Sequence, residues 1–195
     1  MCLLCVKKNT SLVGKKVQMH NMKIAITGAQ GVGKTTLAKQ INQEYPDFSI
    51  LPEAARLAVE AGYKLDHTAT TETELWLIDK QIELEGLESK WVADRCGIDL
   101  LAYIHHLFSK EKDLIEFAAQ TLVPRFRKYD LVLYLPGGQF AIEDDGLRTT
   151  DIKFQQDIDK QVRDILTKHQ IPFVEIIGTP EERLEKVKSL IAFTK

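Results

Sequence analysis

Short apolar runs alternate along the chain with longer segments in which apolar residues recur every three or four positions. The short runs are typical of strands buried on both faces, and the longer segments are typical of helices with one buried face. The predicted strands cover residues 23–27, 48–51, 91–94, 130–135 and 173–177. The predicted helices cover residues 36–41, 54–61, 72–88, 98–108, 113–126, 152–169 and 180–191, and in the third of these Leu75, Ile78 and Ile82 form an apolar stripe. This alternation predicts an α/β fold, with a five-stranded parallel sheet covered by helices on both faces.

Composition and charge restrict the partners that the chain can have. The 195 residues are 44% hydrophobic, which is enough to bury one core. Lysine and arginine total 26 against 28 acidic residues, so no net field favours nucleic acid or an anionic membrane. No apolar stretch approaches the roughly 20 residues that span a bilayer, and three cysteines supply no disulfide framework. We expect a cytoplasmic protein with a small polar ligand, and we leave open whether it forms a homo-oligomer.

Residues 1–22 differ from the rest of the chain. They contain four lysines and no acidic residue, and they precede the first predicted strand. Cys2 and Cys5 form a Cys-x-x-Cys pair, but a structural zinc site needs four ligands and Cys96 is the only other cysteine. We interpret residues 1–22 as an appended or disordered leader and residues 23–195 as one domain.

The strongest functional signal follows the first predicted strand. Residues 28–35 read Gly-Ala-Gln-Gly-Val-Gly-Lys-Thr, which fits a phosphate-binding loop between a strand and a helix. Glycines allow backbone N–H groups to turn towards phosphates, Lys34 can reach the β- and γ-phosphoryl oxygens, and the Thr35 hydroxyl can coordinate Mg²⁺. We predict that a nucleoside triphosphate binds here, through Gly28, Ala29, Gln30, Gly31, Val32, Gly33, Lys34, Thr35 and Thr36.

Two polar clusters follow the second and third predicted strands, where an open parallel sheet binds its ligands. In the first, Glu53 and Arg56 lie three residues apart and can hold a hydroxylated substrate, although an ordinary helix-start ion pair is the alternative. In the second, Asp94 can complete the Mg²⁺ shell through water, and Arg95 can meet phosphate oxygens. The alternative for Asp94 is a cap on the next helix. Tyr103, in that helix, can stack on a base, but we favour a place in the core or in a wall of the cleft.

Residues 94–97 also fit the Asp-x-x-Gly pattern of GTP-binding switches. No Asn-Lys-x-Asp or Thr-Lys-x-Asp element follows, so the usual guanine-specificity signal is missing. We therefore do not expect a GTP-binding switch.

A lid is predicted after the fourth strand, over about residues 137–150. Arg148 in this segment can close over a transferring phosphoryl group and neutralise its charge. The alternative is a solvated loop in which Arg148 pairs with Asp144 or Asp145.

The order of these motifs resembles the P-loop kinases of nucleosides and nucleotides, and most of all the NadR-type ribosylnicotinamide kinase domains and related AAA-labelled small ATPases. The resemblance starts near Met22 and runs to the C-terminus, and it includes the turn at residues 178–183. It implies a three-layer P-loop NTPase fold, ATP and Mg²⁺ at the loop, a nucleoside-like acceptor between the second and third strands, and a closing lid.

Two hypotheses follow for function. The first is a kinase that transfers the γ-phosphoryl group of ATP to nicotinamide riboside, another nucleoside or a nucleotide. Its catalytic residues would be Lys34, Glu53, Asp94 and Arg148, its substrate-binding residues Glu53, Arg56 and Arg95, and its metal ligands Thr35 and Asp94. Whether Glu53 or Asp94 accepts the acceptor proton stays open. The second is a nucleotide-dependent regulatory ATPase that acts through a protein partner.

Overall fold

Five parallel strands form one sheet in the computed structural model, which describes residues 19–139 and 150–193. The order across the sheet is β2-β3-β1-β4-β5. The strands are β1 (Lys23–Thr27), β2 (Ser49–Leu51), β3 (Trp91–Asp94), β4 (Leu131–Tyr134) and β5 (Val174–Glu175). All five lie within the predicted ranges, so the α/β prediction with a five-stranded parallel sheet is confirmed.

Seven helices accompany the sheet within the described residues. They are α1 (Lys34–Glu44), α2 (Ala54–Glu60), α3 (Thr71–Leu87), α4 (Gly97–Leu107), α5 (Lys112–Phe126), α6 (Ile152–Lys168) and α7 (Pro180–Phe193). Short 3₁₀ turns cover Met19–Asn21 and Asp66–Thr68. In this part of the chain no helix combines the length and the apolar character that a membrane span requires.

The strand order places α1 and α4 on opposite faces of the sheet. The chain moves from β1 to β2 in one direction across the sheet and from β3 to β4 in the other. Because parallel crossovers are right-handed, reversing the direction also reverses the face that the connecting helices cover. Helix α1 packs with α7, whereas α4 packs with α5 and α6. The three-layer arrangement therefore follows from the topology.

The carboxyl ends of the central strands meet at one edge. In the register of β1 with β3, Ile26 lies beside Asp94, and in the register of β1 with β4, Thr27 lies beside Tyr134. The loop after β1 and the acid that ends β3 are therefore neighbours. This edge is the switch point at which parallel sheets of this kind bind ligands.

Helix α3 differs from its predicted apolar stripe. Ile78 is fully buried, but Leu75 is 39% exposed. The helix instead buries Gln81 and Glu85, whose side chains are hydrogen-bonded at 2.9 Å, and Tyr129 donates to the same Glu85 carboxylate at 2.7 Å. Because these partners satisfy one another, the polar side chains can lie inside the protein.

Candidate functional site

The glycine-rich segment after β1 forms a tight loop that ends where α1 begins. Gly28, Gly31 and Gly33 have φ values of 148°, 72° and 89°, which residues with a Cβ rarely adopt. A Cβ on Gly28 would lie 2.3 Å from the Leu135 carbonyl oxygen, so no larger residue fits there. Among the predicted loop residues, Gly33 and Thr35 are half-buried, Gly31 and Thr36 are exposed, and the buried ones are Gly28, Ala29, Gln30, Val32 and Lys34.

Lys34 turns its side chain into the loop. Its Nζ donates to the Gly28 carbonyl at 2.7 Å and to the Ala29 carbonyl. Burial, together with the positive charge of Arg95, lowers the pKa of Lys34 to about 7, although Asp99 and other nearby carboxylates oppose this. The ammonium is thus poorly compensated inside the protein, and an added negative charge would stabilise it.

Asp94 and Thr35 meet at the carboxyl edge of the sheet. The Thr35 hydroxyl is hydrogen-bonded to the Asp94 carboxylate. Burial raises the pKa of Asp94, and this hydrogen bond together with the charge of Lys34 opposes the rise. A hydroxyl and a carboxylate side by side are oxygen ligands of the kind that Mg²⁺ prefers. The donor set therefore fits the predicted metal ion.

Glu53 lies between two arginines at the start of α2. Arg95 Nε is 2.7 Å from Glu53 Oε1, and Arg56 Nε is 3.4 Å from Glu53 Oε2. Burial by itself would lower the pKa of Arg95, but Glu53 together with Tyr103 and the nearby carboxylates outweighs it, so the pKa is raised. The Arg95 side chain is 10% exposed and that of Arg56 is 43% exposed. Arg95 thus lies inside the site, and Arg56 lies at its rim.

The backbone of Arg95 is strained. Its φ is 78°, in the left-handed region that costs a residue with a Cβ about 1–2 kcal/mol. Such conformations persist where the surroundings impose them, and they cluster at functional sites. In this conformation the Arg95 side chain reaches the Glu53 carboxylate.

A pocket opens beside this ion pair, between α2, α3 and α4. The space that the centre of a water molecule can occupy is about 40 Å³, within about 460 Å³ of space free of protein atoms that includes open solvent. Its polar wall contains Glu53, Asp66, Glu74, Asp99 and Arg95, and its apolar wall contains Leu65, Leu77, Leu100 and Leu107. Glu53 and Arg95 thus lie where an acceptor could enter, and Arg56 is not among the residues of this wall.

Asp99 is a site residue to which sequence reasoning assigned no role. Its carboxylate accepts the Gly28 N–H at 2.9 Å and the Cys96 N–H at 2.9 Å. It therefore joins the phosphate loop to the start of α4. Asp99 lies three residues after Cys96, which is the spacing of a capping box at a helix start. This spacing is the feature of the sequence from which a structural role of Asp99 could have been predicted.

Two further side chains brace the loop from distant parts of the chain. Gln155 Nε2 donates to the Gln30 carbonyl at 2.7 Å. Arg183 NH1 donates to the Val32 carbonyl at 2.6 Å, and Arg183 Nε donates to the Gly178 carbonyl at 3.0 Å. Nothing local in the sequence marks Gln155, whereas Arg183 belongs to the turn that contributed to the family resemblance.

The predicted lid lies mostly outside the described residues. Arg148, Asp144 and Asp145 fall in residues 140–149, so their predicted roles stay predictions. Helix α6 follows this segment, with Asp151 accepting the Lys153 N–H at 2.8 Å as its cap.

This fold and this loop define a P-loop protein of the nucleoside triphosphate-binding type. A family model described as an AAA domain matches residues 23–183, so the chain belongs to that family. No curated protein matches the chain in sequence.

Several solved structures share the fold at low sequence identity. NadR in complex with NR matches 90% of this chain with a TM-score of 0.73 and 18% identity, and NadR with NAD and AMP-PNP matches 90% with a TM-score of 0.70 and 15% identity. Deoxyadenosine kinase from M. mycoides, with products dCMP and dCDP bound, matches 89% with a TM-score of 0.65 and 16% identity. The chain spans 52% and 50% of the two NadR chains and all of the deoxyadenosine kinase chain. The predicted P-loop kinase-like fold is confirmed.

Proposed function

We propose that this protein is an ATP-dependent kinase that transfers the γ-phosphoryl group to a hydroxyl of a nucleoside-like acceptor. The observation that carries the proposal is the Glu53–Arg95 ion pair, which lines a pocket next to the phosphate loop. A carboxylate and a guanidinium in one pocket can bind a hydroxyl and a phosphoryl oxygen together. The family and the likeness in fold to NadR and deoxyadenosine kinase support the same class of activity.

The loop holds the triphosphate in this proposal. Its backbone N–H groups surround the phosphates, and Lys34 exchanges the Gly28 and Ala29 carbonyls for phosphoryl oxygens. Thr35 and Asp94 would hold Mg²⁺, which neutralises charge on the phosphoryl oxygens when it is bound. Because Asp94 is hydrogen-bonded to Thr35, we assign it to the metal.

Glu53 is then the base. Its carboxylate takes the proton of the acceptor hydroxyl, the acceptor oxygen forms a bond to the γ-phosphorus, and the bond from that phosphorus to the ADP oxygen breaks. Arg95 orients Glu53 and the substrate, and Arg56 holds the second carboxylate oxygen from the rim. Arg148 closes over the transferring group from the lid.

The charges of the pocket favour an acceptor without a phosphate. Besides Glu53, the described residues of its wall include the carboxylates of Asp66, Glu74 and Asp99, against one guanidinium, that of Arg95. These carboxylates would repel the phosphate of a nucleoside monophosphate. Nicotinamide riboside, whose ring is cationic, fits this balance better, and a neutral nucleoside fits better than a monophosphate.

The test is Mg²⁺-dependent ATP consumption with nucleosides, nucleoside monophosphates and nicotinamide riboside, each compared with a control that lacks an acceptor. Stimulation by one acceptor, with a phosphorylated product, would establish the kinase and identify its substrate. Lys34→Ala should abolish product formation, whereas Lys39→Ala, an exposed lysine of the same helix, should not. ATP binding without any acceptor-dependent product would favour the regulatory ATPase.

A further inference from the structure

Helix α4 carries a hydrogen-bonded connection between the proposed acceptor pocket and the phosphate loop. The Tyr103 hydroxyl donates to Gln30 Oε1 at 3.0 Å, and Arg95 NH1 lies 3.5 Å from the same hydroxyl oxygen. The Arg95 guanidinium also lies over the Tyr103 ring, 5.5 Å from its centroid. One tyrosine therefore touches both the arginine that binds Glu53 and a residue of the phosphate loop.

Each end of this connection is tightly held. Gln30 is 2% exposed, and its backbone carbonyl is fixed by Gln155 on α6. At the other end, the Arg95 side chain is 10% exposed and paired with Glu53, and the Arg95 backbone has a left-handed conformation. Both Tyr103 and Arg95 line the pocket, so a displacement passed from Gln30 to Tyr103 would change the pocket wall.

Tyr103 is also fixed along the helix. Asp99, one turn before it, accepts the Gly28 N–H, so two consecutive turns of α4 are bonded to the phosphate loop. A movement of the loop around a triphosphate therefore reaches Tyr103 through Gln30 and α4 together.

We propose that Tyr103 is a positioning residue that couples nucleotide binding to acceptor binding. A filled phosphate loop holds Gln30, Gln30 holds the Tyr103 hydroxyl, and Tyr103 holds Arg95 in the orientation that binds the acceptor with Glu53. The inference rests on the proposed function for the identity of the two ligands. In thermodynamic terms, bound nucleotide raises the affinity for the acceptor, and bound acceptor raises the affinity for the nucleotide by the same factor.

The direct experiment measures the acceptor dissociation constant by calorimetry, with and without a saturating Mg²⁺ complex of β,γ-imido-ATP. The acceptor is the nucleoside that gives the most product in the activity panel. Wild-type protein should bind it about fivefold or more tightly when the nucleotide is present. Tyr103→Phe removes only the hydroxyl and should bring this ratio to about one. Gln30→Leu, a second variant that removes the acceptor oxygen, should do the same.

Tyr129→Phe is the matched control. Tyr129 is 8% exposed and Tyr103 is 5% exposed, and each variant loses one buried hydroxyl. The Tyr129 hydroxyl donates to Glu85 and accepts the Gly97 N–H at 3.4 Å, but it contacts neither the phosphate loop nor Arg95 through these bonds. This variant should keep the wild-type ratio. A ratio of one in the wild type, or an unchanged ratio in Tyr103→Phe, would overturn the inference.

A second readout needs no acceptor and separates this inference from the kinase proposal. Hydrogen exchange of residues 53–60, on the Glu53 side of the pocket, should slow when the β,γ-imido-ATP complex binds to wild-type protein. The slowing should be lost in Tyr103→Phe and kept in Tyr129→Phe. If no acceptor gives product, the kinase proposal fails while this exchange experiment still decides the coupling. Equal slowing in wild type and Tyr103→Phe would refute it.

Discussion

Asp99 gives the sharpest prediction about what holds the phosphate loop in place. One carboxylate oxygen accepts the Gly28 N–H at 2.9 Å, and the other accepts the Cys96 N–H at 2.9 Å and lies 3.5 Å from Cys96 Sγ. The side chain is 2% exposed, so water cannot replace these bonds without rearrangement. Asp99 therefore satisfies two buried backbone donors that belong to different elements.

The size of the effect follows from these two donors. Asp99→Asn turns one oxygen into an amide that faces an N–H group, and we expect a loss of about 2 kcal/mol in the free energy of unfolding. Asp99→Ala leaves both N–H donors without an acceptor, and we expect it to lower the free energy of unfolding by about 4 kcal/mol. Since domains are stable by only about 5–15 kcal/mol, the alanine variant should unfold at much lower denaturant.

Urea unfolding followed by circular dichroism measures these differences, provided that the m-value stays constant. Asp79→Asn is the control, because Asp79 is an exposed acid in the middle of α3, and its change should stay within about 0.5 kcal/mol. The order of loss should be alanine, then asparagine, then the control. An Asp99→Asn variant as stable as the control would refute the bracing role assigned to Asp99.

Three further predictions address the base, the lysine and the loop glycine. Glu53→Gln should lower kcat by about 10²–10⁴-fold in the acceptor assay, while nucleotide affinity changes little. Glu60→Gln, a change of an exposed residue in α2, should leave kcat unaltered. A nearly normal kcat in Glu53→Gln would instead favour Asp94 as the base. Because burial lowers the pKa of Lys34 from 10.5 to about 7, its cost to folding is largest below pH 7 and declines as the pH rises towards 10.5. If a bound triphosphate restores the pKa of Lys34 to 10.5, nucleotide binding should take up about 0.9 proton at pH 8 and about 0.1 proton at pH 6. Calorimetry in buffers of different ionisation enthalpy measures this uptake. The same uptake at both pH values would refute the role of Lys34 in binding the phosphates. Gly28→Ala should destabilise the fold by about 3 kcal/mol or more, because its Cβ would lie 2.3 Å from the Leu135 carbonyl oxygen, whereas Gly62→Ala, also at positive φ but with no atom within 4 Å, should cost about 1 kcal/mol in the same denaturation assay.

The local pattern of apolar and polar residues was sufficient to predict the strands and helices and the phosphate loop. The central strands β1, β3 and β4 are short, mostly apolar runs, and burial on both faces of a sheet leaves few other arrangements for such runs. The loop is a contiguous motif whose glycines act on their own backbone, so residues 28–35 alone specify it. Asp94 and Glu53 each come at or after the end of a strand. In a parallel sheet the carboxyl ends of the strands lie at the same edge, where ligands of this fold class bind.

Helix α3 shows where periodicity was insufficient. Leu75 follows the helical spacing but is 39% exposed, while Gln81 and Glu85 are buried. The spacing of apolar residues identifies one face of a helix, but it does not predict a hydrogen-bond partner such as Tyr129, which lies 44 residues along the chain from Glu85. Only packing decides which polar side chains find partners inside the protein.

The sequence by itself determined the fold class, the phosphate loop and the acids and arginine at the strand ends. Only the tertiary structure decided how these parts are joined: Asp99 to Gly28 across 71 residues, Gln155 to Gln30 across 125, and Tyr103 to both Gln30 and Arg95. The physical reason is range, because backbone conformation and burial depend on residues within a few positions of each other. A side-chain hydrogen bond between elements depends instead on distances that exist only after the helices have packed on the sheet.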